Sequence, residues 1–258
     1  MRSLLEIGGR RLPFLRWSAL RLAIGSKKLQ ENWQVGDGRE QAMCDYVLAK
    51  ARAGDLEAHI RAVDEFCNTR SVMINIGDEK GEILDAAIRR AQPRRLLELG
   101  TYCGYSGLRS ASSMPAGARL YSLEFQPANA AIARRIWAHA GIGDELTVIE
   151  GTLGDGGATI ERLENEFGFA EGSLDFVFID HAKDAYLPDL ERIVERGWLH
   201  PGSLVVADNI KFPGAPGYRE YMQAAEGQTW QTTEHETHLE YQSLLKDLVL
   251  ESQYLGPG

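Results

Sequence analysis

No stretch of this sequence stays apolar for the roughly 18 residues that a membrane-spanning helix needs, so no transmembrane segment is predicted. The N-terminus carries arginines without a clean apolar run and a small-residue cleavage site behind them, which argues against a signal peptide. Cysteine is scarce. Cys44, Cys67 and Cys103 are odd in number and their spacing fits no metal-binding pattern, so reduced thiols in a cytoplasmic protein are expected. Basic charge is in deficit. The 28 Lys and Arg face 37 Asp and Glu, and a net charge of -9 excludes a general nucleic-acid-binding role. Internal repeats, low-complexity tracts and the G-x-G-x-x-G spacing of dinucleotide binders are also lacking.

What remains is an ordinary globular composition, 44% hydrophobic and 25% charged over 258 residues, enough for a sizeable core. The charge is uneven. Residues 1–28 hold seven basic residues and one acid, a segment of +6, which leaves -15 for the rest. Residues 1–37 therefore read as a basic arm. Within it RLPFLRWSALRLAIGSKK could touch an anionic membrane surface, but Pro13, Gly25 and its shortness favour an arm that packs on the domain or mediates a dimer. Residues 38–258 read as one domain. REQAMCDYVLAKARA, LEAHIRAVDEFCNTR and EKGEILDAAIRRAQ have helical spacing and form a helical cap over 38–93, with Asp55 as an N-cap and Pro93 as a stop. The period then changes. RRLLELG, ARLYSLEF, LTVIEG, LDFVFID and SLVVADN are near-continuous apolar strands, alternating with helices at Ser106–Ser113, Pro127–Ala140, Ala158–Phe167 and Leu187–Gly197. Such alternation predicts an α/β fold with a doubly wound, mostly parallel, Rossmann-like sheet. QTWQTTEHETH and LEYQSLLKDLVLESQYL, with no helix between them, predict a closing antiparallel hairpin.

In such sheets ligands sit beyond the carboxyl ends of the strands. LLELGTYCGYSGLRS follows the first strand with Glu98, Gly100, Gly104 and Gly107, and the second strand ends in Glu124, where an acid can accept hydrogen bonds from both ribose hydroxyls. Loop and acid together predict a nucleoside-containing cofactor, either a nicotinamide dinucleotide or S-adenosylmethionine. The fourth and fifth strands end in Asp180 and in Asp208-Asn209. Either acid alone would more often cap a helix. Two in equivalent positions beside an amide make a hard-ligand set for Mg²⁺, Ca²⁺ or Mn²⁺. Lys183 would stand near that dication, which lowers its pKa and makes it a candidate base. His181 is either a ring for an adenine to stack on or an ordinary turn histidine.

Taken together, GDEKGEILDAAIR, LELGTYCGYS, FIDHAKDAYLPD, ADNIKFPG, HLEY and YLGP resemble the catechol O-methyltransferases, from about Gly36 to the C-terminus. The resemblance implies the class I methyltransferase fold, S-adenosylmethionine and Mg²⁺ (or Mn²⁺) as cofactors, and a small catechol as substrate. It places the cofactor on Ile76, Glu98, Gly100, Tyr102, Ser106, Glu124, Phe125, Leu153, Asp180 and His181. It places the metal on Asp180, Asp208 and Asn209, the base on Lys183, and the substrate against Lys183, Asn209, Pro213 and Glu240. Two tryptophans that wall the catechol in vertebrate members are here Val72 and Ala182, and polar residues near the adenine are here Leu153-Gly154. A wider mouth is expected, with weaker binding of small catechols, looser regiochemistry or a bulkier physiological catechol. A caffeoyl-CoA-like O-methyltransferase and a non-catalytic nucleoside- or metal-binding relative are the alternatives.

Overall fold

Along each central strand, successive side chains point to opposite faces, and both faces here are apolar. In the computed structural model, which describes residues 6–7, 10–11, 34–242 and 244–257, this produces two cores, one on each side of one sheet. Leu96, Phe176, Phe178, Leu204 and Val206 face one core, while Leu97, Leu99, Val177, Ile179, Val205 and Ala207 face the other. Strands with no polar face can be stable only between two layers of helix.

The helical layers come from the expected segments. Among the described residues three helices precede the sheet: α1 (Arg39–Lys50), α2 (Leu56–Thr69) and α3 (Gly77–Ala91). The Asp55 carboxylate accepts from the Ala58 amide at 2.9 Å and caps α2 as its sequence predicts. There follow β1 (Arg95–Leu99), α4 (Tyr105–Ser113), β2 (Arg119–Glu124), α5 (Pro127–Ala140), β3 (Leu146–Glu150), α6 (Ala158–Asn165), β4 (Leu174–Ile179), α7 (Tyr186–Glu195), β5 (Leu199–Ala207), α8 (Pro216–Ala224), β6 (Trp230–His238) and β7 (Lys246–Tyr254). Helices α1 to α5 supply Val47, Phe66, Leu84, Leu108 and Trp137 to the first core; α6 to α8 supply Leu163, Leu190 and Met222 to the second. The strand order is β3-β2-β1-β4-β5-β7-β6. Strands β1 to β5 run parallel, and β7 and β6 close the sheet as the expected antiparallel hairpin. The chain reverses its winding between β1 and β4, which makes that crevice the place for a ligand.

Two elements exceed the sequence reading. Helix α8, opened by Pro216, was not apparent from PGYREYMQA, whose buried residues are only Tyr218 and Met222. Strand β5 starts at Leu199, before the apolar run, because the register slips opposite Leu174–Phe176 and the Ser203 hydroxyl donates to the Leu174 carbonyl at 2.8 Å in the gap. In the basic arm Glu6–Ile7 pairs antiparallel with Arg10–Arg11, and the stretch expected to be amphipathic lies, apart from Arg11, outside the described residues. Among the described residues, no helix is long and apolar enough to cross a membrane.

Candidate active site

Strand register alone lines up the candidate residues. Leu123 pairs with Leu99, Leu99 with Ile179, and Ile179 with Ala207. The next residue on each strand is therefore in one row at the carboxyl edge: Glu124, Gly100, Asp180 and Asp208. With strands about 4.8 Å apart, that row spans roughly 15 Å. The backbones stay hydrogen-bonded to its end, from Gly100 N to Leu123 O at 3.1 Å, Asp180 N to Leu99 O at 2.9 Å and Asp208 N to Ile179 O at 3.0 Å.

At one end of the row is a cradle. The Glu124 carboxylate accepts from the Tyr102 amide at 2.7 Å and the Gln126 amide at 2.9 Å. Burial pushes its carboxyl up to about 7, against the pull of these amides. Tyr102 holds a positive φ of 46°, and its hydroxyl donates to Glu40 of α1 at 3.0 Å. The Trp137 indole donates to the Gly104 carbonyl at 2.8 Å and fixes the other side of the loop. Burial also pushes Glu98 up to about 7, with the Ser106 and Ser122 hydroxyls pulling it down. Ser122 donates to Oε2, whereas Oε1 has no hydrogen-bond partner of good geometry. Phe125 is exposed, and Ile76 is buried beside α3. Leu153 is a core side chain, so only its backbone is left to face a ligand. The His181 ring stacks on Tyr186 at 5.2 Å and its Nε2 lies 2.9 Å from Asp189 Oδ2.

At the other end several charged groups converge. Lys183 Nζ lies 3.1 Å from Asp180 Oδ1, 3.0 Å from Asn209 Oδ1 and 2.5 Å from the Tyr186 hydroxyl. Glu240, on the loop after β6, accepts from the Asn209 amide at 3.1 Å. Its main chain sits on Gly77 of α3, where a Cβ would meet Glu240 Cα at 3.1 Å. Pro213 is exposed in the turn after β5, Val72 and Ala182 are half-buried, and Arg39 donates to the Val72 carbonyl. The capping reading of the two acids fails. The N-cap positions of the turn and helix after Asp180 are Ala182 and Ala185, that of the turn after Asp208 is Asn209, and none of the three makes a side-chain capping bond. Burial raises both carboxyls, Asp208 to about 7, with Lys183 and Lys80 pulling Asp180 down and Lys80 pulling Asp208 down.

Two residues of this cluster were missed from sequence. Lys80 is 1% exposed, and its Nζ lies 2.5 Å from Glu240 Oε1, 2.8 Å from Asp208 Oδ2 and 3.1 Å from Asp247 Oδ2. Burial alone would lower the Lys80 ammonium; the carboxylates of Asp208, Glu240 and Asp247 outweigh it and hold it well above the ordinary lysine value. Asp247 also accepts from the Asn209 amide at 3.0 Å and from the Lys211 and Phe212 amides at 3.2 and 3.0 Å. It thereby turns the Asn209 Oδ1 toward Lys183. A signal for Lys80 existed: it lies on the stripe Gly77, Gly81, Leu84 and Ile88, where a helix buries its apolar face. Asp247 gave none. Among the described residues no group of three or more His, Cys, Asp or Glu is arranged as a metal cluster, and the oxygen set here depends on an asparagine.

An O-methyltransferase family profile matches residues 56–233. The chain is 57% identical over 235 residues to "Probable O-methyltransferase Rv1703c" of Mycobacterium tuberculosis, covering 91% of this chain and 100% of the relative. It is 41% identical to Catechol O-methyltransferase B of Danio rerio, over 84% of this chain and 80% of that one. It is 36% identical to catechol O-methyltransferase of Mus musculus, over 88% and 83%. Among solved structures, a Bacillus cereus O-methyltransferase in complex with SAH superposes with a TM-score of 0.60 at 24% identity, covering 77% of this chain and 90% of that one, which shows the shared fold. On this evidence the chain belongs to the O-methyltransferase family.

Proposed function

We propose that the protein transfers a methyl group from S-adenosylmethionine to one hydroxyl of a catechol, with Mg²⁺ or Mn²⁺ in the site. The observation that carries this is the meeting of Asp180, Lys183, Asp208, Asn209 and Glu240 at one end of the strand row, with the Glu98 and Glu124 cradle at the other. The residues fit a hard cation. Asp180 Oδ1 and Asn209 Oδ1 already converge on one positive group, the Lys183 ammonium, within 3.1 Å. A dehydrogenase would need a hydride partner, which this site does not offer.

S-adenosylmethionine would supply an electrophilic methyl group, and the dication would lower the pKa of both catechol oxygens. Asp180, Asp208 and Asn209 would hold the dication. Glu124 would accept the ribose hydroxyls, and Glu98, Gly100, Tyr102, Ser106, Ile76, Phe125, the Leu153 backbone and His181 would surround the rest of the cofactor. Lys183 shares the ligand oxygens, with Nζ 3.1 Å from Asp180 Oδ1 and 3.0 Å from Asn209 Oδ1, so it stands beside the place that the dication and the reacting hydroxyl would take. Lys183 Nζ then receives the proton of the reacting hydroxyl, and Glu240 accepts the hydrogen bond of its neighbour. With the sulfonium methyl that S-adenosylmethionine would supply, methyl transfer to the substrate oxygen would leave the displaced proton on Lys183. Positioning of the two reactants supplies most of the acceleration.

Val72, Ala182 and Pro213 leave the ring with little aromatic wall. Phe212, next to Pro213, and Leu244 and Leu245, in the segment after Glu240, are exposed, so the physiological catechol is bulkier than a simple catechol ring and carries an apolar portion. The test is transfer from labelled S-adenosylmethionine to a panel of catechols and matched monophenols, with Mg²⁺ and with chelator. Metal-dependent methylation of catechols alone is expected. Equal use of monophenols, or full activity in chelator, would refute the reading.

A further inference from the structure

Lys80 is a full positive charge in a place where the proposed reaction assigns it nothing. Its four methylenes run along the buried stripe of α3 and deliver Nζ into a nest of three carboxylate oxygens. These come from three separate parts of the chain: Asp208 Oδ2 at the end of β5, Glu240 Oε1 on the loop after β6, and Asp247 Oδ2 in β7, at 2.8, 2.5 and 3.1 Å. Three carboxylate oxygens around one cationic centre are the donor type that a hard dication takes, although with Lys80 in place the three acids are not spaced as a metal cluster. One of them belongs to Asp208, which the Asp180 and Asn209 side of the site also uses. A shared carboxylate is how two divalent ions sit side by side in two-metal sites.

We propose that Lys80 is a built-in cation that limits this site to a single divalent ion, its ammonium standing where a second one would bridge Asp208, Glu240 and Asp247. The arrangement has a chemical consequence. An ammonium satisfies the nest by hydrogen bonds and leaves Glu240 as an acceptor for the substrate. A second dication would take Glu240 as a ligand and withdraw it from the catechol. Asn209 reinforces the arrangement, since its amide donates to the same Glu240 and Asp247 oxygens at 3.1 and 3.0 Å. Lys80 acts through these groups and is a positioning residue. Taking its charge away leaves buried carboxylates that must either bind another cation or take up protons.

The inference rests on the metal reading above only in part, because its prediction is a difference between variants. The full-length native chain, Lys80→Ala and Lys80→Arg are titrated with Mn²⁺, bound ions per chain are counted by calorimetry and elemental analysis, and folding is followed by circular dichroism. One more Mn²⁺ is expected in Lys80→Ala than in the native chain, with a low-temperature paramagnetic resonance spectrum of a coupled pair, and Lys80→Arg should match the native count. A Lys80→Ala chain that folds only when Mn²⁺ is present supports the proposal equally. The same count in the native chain and Lys80→Ala overturns it, as does a coupled pair in the native chain, or a Lys80→Ala chain that stays unfolded at millimolar Mn²⁺. A native chain with no ion and a Lys80→Ala chain with one would sink the metal reading of the proposed function while still supporting Lys80 as the cation that keeps a divalent ion out of the Asp208, Glu240 and Asp247 nest.

Discussion

Glu124 joins a contact to a pH dependence. Its carboxylate is aimed by the Tyr102 and Gln126 amides, and burial raises its carboxyl to about 7. Only the ionised form accepts from two hydroxyls of a ribose, so S-adenosylmethionine affinity should rise with pH through about 7 and be about tenfold weaker at pH 6 than at pH 8. Calorimetric titration at the two pH values checks this, and Glu124→Gln should bind weakly with a shallower slope, the remainder coming from Glu98, which burial also raises to about 7. A native affinity that does not change, or a slope as steep in Glu124→Gln as in the native chain, would remove Glu124 from the ribose. At the Lys183 end of the row, Lys183→Ala should cut kcat by about 10²-fold or more while cofactor affinity holds, the scale expected for loss of a general base. The candidate site was only partly legible at this scale. Asp180, Lys183, Asp208 and Asn209 follow apolar strands directly, so a short window of sequence exposes them. Glu240 came from the resemblance alone. Lys80 reaches Glu240 across 160 residues and Asp247 across 167, and only the folded sheet joins them.

Gly100 sets how closely the ends of β1 and β4 approach. It holds φ at 104°, and a Cβ there would lie 2.4 Å from the Asp180 carbonyl oxygen, inside any tolerable contact. Gly100→Ala must therefore pry apart the strand end that carries the Tyr102–Gly104 loop from the one that carries Asp180. Gly117 is the control, with φ at 83° and nothing within 4 Å of its would-be Cβ. Both alanine variants bear the left-handed backbone penalty of about 1–2 kcal/mol, but only Gly100→Ala adds an overlap, worth a further 1–3 kcal/mol. Urea unfolding should rank them so, and only Gly100→Ala should lose tenfold or more in cofactor affinity. Equal losses would mean that the β1–β4 junction yields without cost. Elements such as these two strands were readable because runs buried on both faces need no partner to identify them. Helix α8 was hidden because it buries only Tyr218 and Met222, and the start of β5 because Pro201 and Gly202 look like a turn until the register slip accommodates them.

The whole molecule stores acids where water cannot reach them. Glu98 and Glu124 move from 4.5 to about 7 and Asp208 from 3.8 to about 7, burial being the largest cause in each. Between their unfolded and folded values the folded chain binds more protons than the unfolded chain. Their contribution to stability is therefore full below about 4 to 4.5 and is lost as pH rises through about 7. His200 acts in the same direction, raised by the Pro201 carbonyl and Asp175, while burial lowers His59 and opposes it in acid. Three carboxyls outweigh one imidazole, so the ligand-free, metal-free chain should melt at a lower temperature at pH 8 than at pH 6. Glu98→Gln removes one of the three charges without changing shape. It should stabilise the chain at pH 8 by an amount on the order of 3 kcal/mol at most, some 6–12 °C in melting temperature, have little effect at pH 5, and weaken S-adenosylmethionine binding at every pH. Calorimetric melting of the native chain and Glu98→Gln across this range decides it. A melting temperature that climbs from pH 6 to pH 8, or a Glu98→Gln chain no more stable than the native one at pH 8, would mean that these acids ionise in the fold at little cost, and the site would then lack the buried, low-dielectric setting that its proposed chemistry uses.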